Sequence, residues 1–299
     1  MVKEFMPSLL MSEIYFPIIN EKDVTSHIIE NSLQHSFYQS IEIAAGQDKN
    51  ERKRILNLKE ENNLLLTQWL TFVVEKNGYD IASSDEQWRR ESINKIKEYL
   101  YLGAESGAEN IAFVPGNDPG MKLRGEFIER FYEGVCEICE EATHLNLNIL
   151  IEPLDRGVDK NRLIGPTNEA NDLIKRVKKD YKNVGLAFDT AHSALNGENV
   201  VKAVKASTQE LYQVHFSNAV LDKSHHLFGD LHMPIGDPGF LNVKGIASIL
   251  KELQQTAKEE GKKIPIAIEA RSQKNDDLEA KEKLNREILE SAIKMIEEL

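Results

Sequence analysis

Four acidic or imidazole side chains stand directly after short apolar runs: Glu152 after ILI, Asp189 after GLAF, His215 after LYQV and Glu269 after IPIAI. Each run has the length and branched-chain content of a buried strand, and each precedes a helix-like stretch. If these strands are parallel, the four side chains gather at the C-terminal mouths of four neighbours, where a barrel assembles a site. A carboxylate buried there alone would be costly, and a divalent cation would supply its counter-charge. Three carboxylates and one imidazole make a hard, oxygen-rich donor set. It suits one divalent metal, manganese first, with magnesium, cobalt or zinc as alternatives. A structural zinc would draw on cysteine and close its coordination. Four protein ligands on an octahedral ion leave two positions for substrate oxygens. His192, three residues past Asp189, is placed to contact a substrate oxygen or a second metal, or else to make a local hydrogen bond at a helix start. Arg156, in EPLDR, would position a hydroxyl or phosphate, unless it forms a surface ion pair.

The elements that must position these residues alternate along the chain. Eight strand-like segments are FMPSLLMS, SIEIA, LLLTQWLTFVV, NIAFVP, NILIEP, VGLAFD, LYQVHFS and IPIAIEA. The intervening stretches carry apolar residues at three- and four-residue spacing with charged opposite faces, as amphipathic helices do. Eight such pairs over 299 residues predict an α/β fold, a (β/α)8 TIM barrel in a single domain, 1–299. A doubly wound open sheet is the competitor, but it usually has fewer strands, and the Gly-rich phosphate loop that often opens one is absent. Residues 217–240 form the longest connection without clear periodicity, and long loops of this kind carry substrate contacts or a lid.

Composition narrows the partners. The net charge of −12 opposes a polyanion, and no basic run with interleaved aromatics suggests nucleic-acid binding. No apolar stretch of about 18 residues predicts a membrane span. The start, MVKEFMPSLLMSEIYF, lacks a secretory signature, so a cytoplasmic protein is expected. The only cysteines, Cys136 and Cys139, form one CEIC in a helix-like run whose apolar face holds Phe127, Phe131, Val135 and Ile138. Cys139 falls towards the edge of that face and Cys136 away from it, so two ordinary thiols are expected rather than a redox or zinc pair.

The motifs also resemble a known family. IEPLDR resembles the EPLNR element of sugar isomerases and epimerases with a xylose-isomerase-like TIM barrel, and DTAH is similar to their DxxH element. The histidine of YQVHFSNA and the glutamate of IAIEA fall at that family's two remaining metal positions, in the same order. The resemblance spans essentially the whole barrel and is specific in the second half. Its members include ketose 3-epimerases, hydroxypyruvate isomerase, inosose dehydratase and isomerase, dehydroshikimate dehydratase and AP endonucleases of the endonuclease IV type.

The resemblance implies that Glu152, Asp189, His215 and Glu269 ligate the metal and that His192 touches substrate. It implies that Glu152 and Glu269 double as the acid/base pair of an isomerase or epimerase acting on a sugar, sugar phosphate or keto-polyol. One glutamate would remove the proton beside a polarised carbonyl, giving a metal-stabilised enediolate. The other would return a proton from the opposite face, or to the adjacent carbon in an aldose–ketose isomerase. A dehydratase of a cyclic keto-polyol shares the first half of that chemistry. An endonuclease-IV-like phosphoesterase with two metals and a non-catalytic sugar-binding barrel are further alternatives.

The chain departs from the family in places. Asp155 replaces the asparagine of EPLNR, and Val158 stands where many epimerases carry an acidic residue. GDLHMPIGDPG, just after His225 and His226, is similar to the DxH element that joins the DxxH histidine on an additional metal in the endonuclease IV type. The ends of the second and third strands lack the histidines that a complete trinuclear site needs. Asp230 and His232 are therefore read as a loop gripping substrate hydroxyls in preference to a second metal site. Glu42, Gln68, Trp69 and Asn117 are expected to line the pocket, with Trp69 against a sugar face, and Arg271 to pair with Glu269. The expected partner is a small-molecule sugar, and a homo-oligomer is compatible with the sequence.

Overall fold

The computed structural model describes residues 4–297, Thr256 by its backbone alone. Among the described residues nine strands run β1 Phe5–Leu10, β2 Ser40–Ala44, β3 Leu65–Trp69, β4 Asn110–Phe113, β5 Asn148–Ile151, β6 Val184–Asp189, β7 Leu211–Val220, β8 Gly229–Met233 and β9 Ile264–Glu269. All except β8 pair in parallel, in the order β1-β2-β3-β4-β5-β6-β7-β9. Pairing of β9 with β1, for example Phe5 opposite Ile264, closes the barrel. The expected (β/α)8 architecture is present, and the expected span 1–299 extends past the described residues at both ends.

Strand alternation divides the core in two. Ile41, Ile43, Leu66, Ile111 and Ile149 belong to the large apolar layer between the strands and the outer helices. Leu10, Trp69, Ala112, Leu150, Ala187 and Ala267 form a smaller cluster of their own. The helices that cover the strands are Val24–Leu33, Lys49–Glu61, Glu86–Glu105, Arg124–His144, Thr167–Val177, Val200–Ala206, Val243–Glu260 and Leu278–Glu297. Side-chain caps start several of them: Asp48 accepts from Asn50 and Glu51, Asp85 from Trp88, and Asn242 from Gly245. No helix among the described residues is long and apolar enough to cross a membrane.

Three details differ from the sequence reading. The run LLLTQWLTFVV is strand only to Trp69; Thr71–Asn77 is a helix in which Val73 and Val74 are buried. A buried strand passing straight into a buried helical turn leaves one unbroken apolar run, in which periodicity marks no boundary. Cys139 is wholly buried, deeper than an edge position suggests, while Cys136 is half-buried, and both are free thiols. The 217–240 connection is not irregular throughout. β7 continues to Val220, and β8 folds back on it antiparallel, with Asn218 opposite Met233 and Val220 opposite Gly229.

Asn218 ties this hairpin down. Its Nδ2 donates to the carbonyls of Pro234 and Gly236, both at 2.8 Å, and its Oδ1 accepts from the Leu241 amide at 2.8 Å. Gly239 lies so close that a Cβ there would come within 2.2 Å of the Asn218 amide oxygen. Three hydrogen bonds at roughly 1 kcal/mol each hold the loop that carries Asp230 and His232. Asn218→Ala is therefore expected to cost about 1–3 kcal/mol and to speed proteolytic cleavage within residues 221–241. Unchanged cleavage in limited proteolysis would show that the loop is held by other contacts.

Candidate metal centre

The quartet assembles from neighbouring strand ends. Glu152 follows β5, Asp189 ends β6, His215 lies in β7 opposite Asp189, and Glu269 ends β9 opposite Ser217. Each offers one ligand atom, and these four atoms lie within 4.8 Å of one another. All four residues are buried. Asp189 Oδ2, His215 Nδ1 and Glu269 Oε2 have no hydrogen-bond partner. Buried polar atoms that converge without partners are the donor set a cation requires, and the residues present fit a divalent metal.

Local structure sets each side chain's aim. Asp189 divides its oxygens: Oδ1 accepts from the His192 amide at 2.9 Å and caps helix Thr190–Leu195, while Oδ2 stays free for the centre. His215 Nδ1 lies 2.8 Å from Glu269 Oε2 and 3.8 Å from Glu152 Oε1, without hydrogen-bond alignment. The capped helix also brings His192 to the centre. Its Nδ1 is 3.2 Å from Asp155 Oδ2, and its Nε2 is 3.6 Å from Asp230 Oδ2. Asp155 explains itself here, because its Oδ1 also accepts from the amides of Asp159 and Lys160 at 2.6 and 3.0 Å. An acceptor-only side chain serves all three donors, which an asparagine amide group would not.

Burial and mutual repulsion leave clear marks on ionisation. Burial, then the charge of Glu269, pushes Glu152 up to about 8. Burial pushes Asp189 up to about 7. Burial acts on Glu269 in the same direction, but the close imidazoles of His215 and His232 outweigh it and hold Glu269 well below the usual carboxylate range. Burial opposes protonation of His192, yet Asp155, Asp189 and Asp230 raise it to about 10. His232 is raised to about 9 against its burial, chiefly by Glu269. Two carboxyls side by side are thus driven apart, one holding a proton and the other not.

Glu152, His215 and Glu269 of the quartet floor a cavity of about 200 Å³. Trp69, His192 and His232 line it, and so do Glu13, Lys160 and Arg271. Leu10, Phe16, Ile19, Phe72, Val114 and Leu154 give it an apolar wall. His232 takes a left-handed backbone, φ 49°, which turns its ring so that Nδ1 is 2.9 Å from Glu269 Oε1 and Nε2 is 3.5 Å from Asp230 Oδ2. Glu13, His232 and Glu269 form a second acidic group, but Arg271 clamps Glu13 through Nε at 2.6 Å and Nη2 at 3.0 Å. That guanidinium already neutralises Glu13.

Several expected residues lie elsewhere. Arg156 is not in the cavity wall; its guanidinium grips Glu169 through two hydrogen bonds, at 2.8 and 2.5 Å, and also the Leu163 carbonyl. Gln68 neighbours Trp69 on a strand and so faces the opposite way, donating to the Tyr99 carbonyl at 3.1 Å. Asn117 bonds Arg162 at 3.2 Å, outside the cavity. Arg271 pairs with Glu13 rather than Glu269. Glu42 is fully buried one layer below the cavity. Glu13 and Lys160 were not foreseen: Glu13 sits in the four-residue helix Met11–Ile14 just after β1 and Lys160 in a loop, and both reach the site only through the fold.

Residues 34–298 match a family described as "Xylose isomerase-like TIM barrel". No curated protein matches the sequence significantly. Among solved structures, a D-tagatose 3-epimerase-like protein superposes with a TM-score of 0.73 at 19% identity, covering 98% of this chain and 99% of that one. A D-psicose 3-epimerase with D-tagatose, from Clostridium cellulolyticum H10, gives 0.70 at 16% identity, covering 98% of each chain. The IolI protein with a bound zinc atom gives 0.69 at 14% identity, covering 98% of this chain and 99% of that one. At these identities the likeness is one of fold.

The ionisation pattern has a measurable consequence. Glu152 and Asp189 keep their protons to about pH 8 and 7 in the fold, whereas an unfolded chain releases them near pH 4. The metal-free fold therefore binds more protons than the unfolded chain between those limits, and its stability falls as pH rises through them. His192 and His232, raised to about 10 and 9, extend that loss upward. The melting temperature of chelator-treated protein is expected to fall from pH 6 to pH 9, with a flatter slope in Asp189→Asn. Added Mn²⁺ is expected to raise it more at pH 8 than at pH 6. A metal-free melting temperature that stays level or climbs across this range would contradict the assignment.

Proposed function

The chain belongs to the xylose isomerase-like TIM-barrel family, and from that premise we propose that it is a divalent-metal-dependent isomerase or epimerase of a sugar, sugar phosphate or keto-polyol. The observation that carries this reading is the buried quartet, four ligand atoms within 4.8 Å of one another, three of whose residues line a cavity of about 200 Å³. Glu152, Asp189, His215 and Glu269 are the ligands, and their hard donor set favours manganese. A bound divalent cation would polarise a substrate carbonyl and acidify the neighbouring C–H. The rest of the chemistry belongs to side chains. Glu269, beside the His232 ring, takes the proton from carbon. Glu152, on the other side of that carbon, returns one. The two reach the cavity from β9 and β5, with β6 and β7 between them, so a carbon held between them is approached from two sides. Return to the same carbon inverts it; return to its neighbour moves the carbonyl.

His192, oriented by Asp155, offers Nε2 to a substrate oxygen, and His232 grips a hydroxyl beside it. Trp69 supplies a flat apolar surface for a sugar face. Arg156 acts only indirectly, by bracing the 156–163 loop against Glu169. Solved neighbours named as ketose 3-epimerases, and one named with zinc, support the same reading. A two-metal phosphoesterase is disfavoured because Lys160 Nζ already stands 3.6 Å from Asp230 Oδ2, where a second cation would have to draw its charge balance. A dehydratase of a keto-polyol remains the second reading, since Glu269 would perform the same proton abstraction. We place the enzyme in the cytoplasm, in keeping with free thiols at Cys136 and Cys139.

The test is a panel of ketoses and keto-polyols turned over in solvent deuterium with Mn²⁺. An epimerase incorporates deuterium at one carbon, whereas a dehydratase releases water and forms an absorbing enone. Glu152→Gln and Glu269→Gln are each expected to lower turnover by roughly 10²–10⁴-fold or more. Near-normal turnover in either variant would remove the paired acid/base assignment.

A further inference from the structure

We infer that Glu42, which lies beneath the cavity and lines none of it, is the positioning residue that sets the orientation and tautomer of His215, and that a ladder of polar side chains through the barrel interior holds Glu42 to that task. The inference rests on the proposed metal site and extends it one layer down. His215 is strung between two sets of partners. Above, Nδ1 faces Glu269 Oε2 at 2.8 Å and Glu152 Oε1 at 3.8 Å. Below, Nε2 faces Glu42 Oε2 at 2.8 Å. The two distances are equal, but only the lower contact has hydrogen-bond alignment; Nδ1 and Glu269 Oε2 are both left without a hydrogen-bond partner. An aligned ring nitrogen facing a carboxylate oxygen carries the proton, so Nε2–H donates to Glu42, and Nδ1 is the nitrogen left to present a lone pair to a cation.

A second contact tests this assignment. Gln213 Nε2 lies 3.0 Å from His215 Nε2 and would donate to the ring if the tautomer were reversed. The ladder decides which way that amide points. Asn148 Nδ2 donates to Asn110 Oδ1 at 3.0 Å, Asn110 Nδ2 to Thr67 Oγ1 at 3.2 Å, and Thr67 Oγ1 to Gln213 Oε1 at 3.1 Å. The amide oxygen of Gln213 is thereby taken, and its NH₂ turns to Glu42 Oε2, with which it makes a short hydrogen bond. Trp69 Nε1 donates to the same oxygen at 2.7 Å. Strand register makes the ladder possible, placing Glu42 opposite Thr67, Thr67 opposite Asn110, and Asn110 opposite Asn148. All donors run one way, towards Glu42, an alignment that strengthens each bond in the series. Glu42, Thr67 and Gln213 are fully buried, and a polar layer at the centre of a barrel is costly to keep for packing alone. A carboxylate behind a metal-bound histidine repays that cost, because it fixes the ring and raises its basicity.

The experiment is titration with Co²⁺, read by its visible absorption and by calorimetry, on the whole chain. Glu42→Gln keeps the shape and removes the charge. It is expected to weaken Co²⁺ binding about 10–100-fold and to alter the Co²⁺ spectrum. The melting temperature of the metal-free variant separates a general loss of structure from a change at the metal. Thr67→Val, which frees the Gln213 amide to turn over, is expected to weaken binding in the same direction by a smaller factor. Wild-type affinity and spectrum in Glu42→Gln would overturn the inference, and unchanged affinity in Thr67→Val would remove the ladder from it. If Glu42→Gln does not fold, nitrogen-15 spectra of histidine-labelled, Zn²⁺-loaded wild-type protein decide. The His215 ring, assigned by its loss in His215→Gln, is expected to show Nδ1 bound to metal and Nε2 carrying a slowly exchanging proton; the reverse pattern overturns the inference. A wild-type protein that takes up neither ion would fail the metal reading itself, and this inference with it.

Discussion

Negative charge crowded into a dry space is the condition on which this molecule turns. Glu152, Asp189 and Glu269 bring three buried carboxyls to one barrel mouth, and Asp155, Asp230 and Glu42 are buried close by. Two like charges 4 Å apart repel by about 4 kcal/mol at the effective dielectric of a protein surface. A few such pairs would consume the whole stability of an ordinary fold, about 5–15 kcal/mol. The fold relieves part of the repulsion by holding protons on Glu152 and Asp189 and by keeping His192 and His232 charged. Those expedients leave Asp189 Oδ2, His215 Nδ1 and Glu269 Oε2 without partners. A divalent cation satisfies all three atoms at once, and it is the simplest species that does.

Much of the surrounding structure divides single side chains between two duties. Asp189 caps a helix with one oxygen and faces the centre with the other. Asp155 anchors its loop with one oxygen and orients His192 with the other. His215 joins the buried Glu42 below to the ligand set above. Arg271 takes up Glu13 and lies over the ring of Phe16, 4.5 Å from its centroid, so that one residue sets both the charge balance and the apolar rim of the cavity. Such sharing restrains Asp189 and His215, because neither can turn without breaking a hydrogen bond to a neighbouring element.

The barrel was legible because eight apolar runs alternate with amphipathic helices, and the quartet was legible because each member ends such a run. VGLAFD and SIEIA coincide with β6 and β2 residue for residue. What the sequence concealed depends on direction or on long-range pairing. Gln68 and Trp69 are adjacent in a motif yet face opposite sides of β3. Arg156 follows a site glutamate by four positions yet is drawn away by Glu169, thirteen residues further on. Arg271 stands two residues past Glu269 and pairs with Glu13, just beyond the end of the neighbouring strand β1. Lys160 reaches the cavity from a loop and Glu13 from the single helical turn Met11–Ile14, both too short or irregular for periodicity to signal orientation. The hairpin of β7 and β8 was hidden because His225 and His226 and the glycines around it read as an irregular connection.

The central claim is that one divalent cation completes the mouth of this barrel through Glu152, Asp189, His215 and Glu269. Elemental analysis of the protein, equilibrated with Mn²⁺ at pH 8 and freed of excess ion, tests it directly. The account expects one manganese per chain, and none in a chain carrying both Asp189→Asn and His215→Gln. No bound ion in the wild-type chain would contradict it, as would uptake that survives the double substitution.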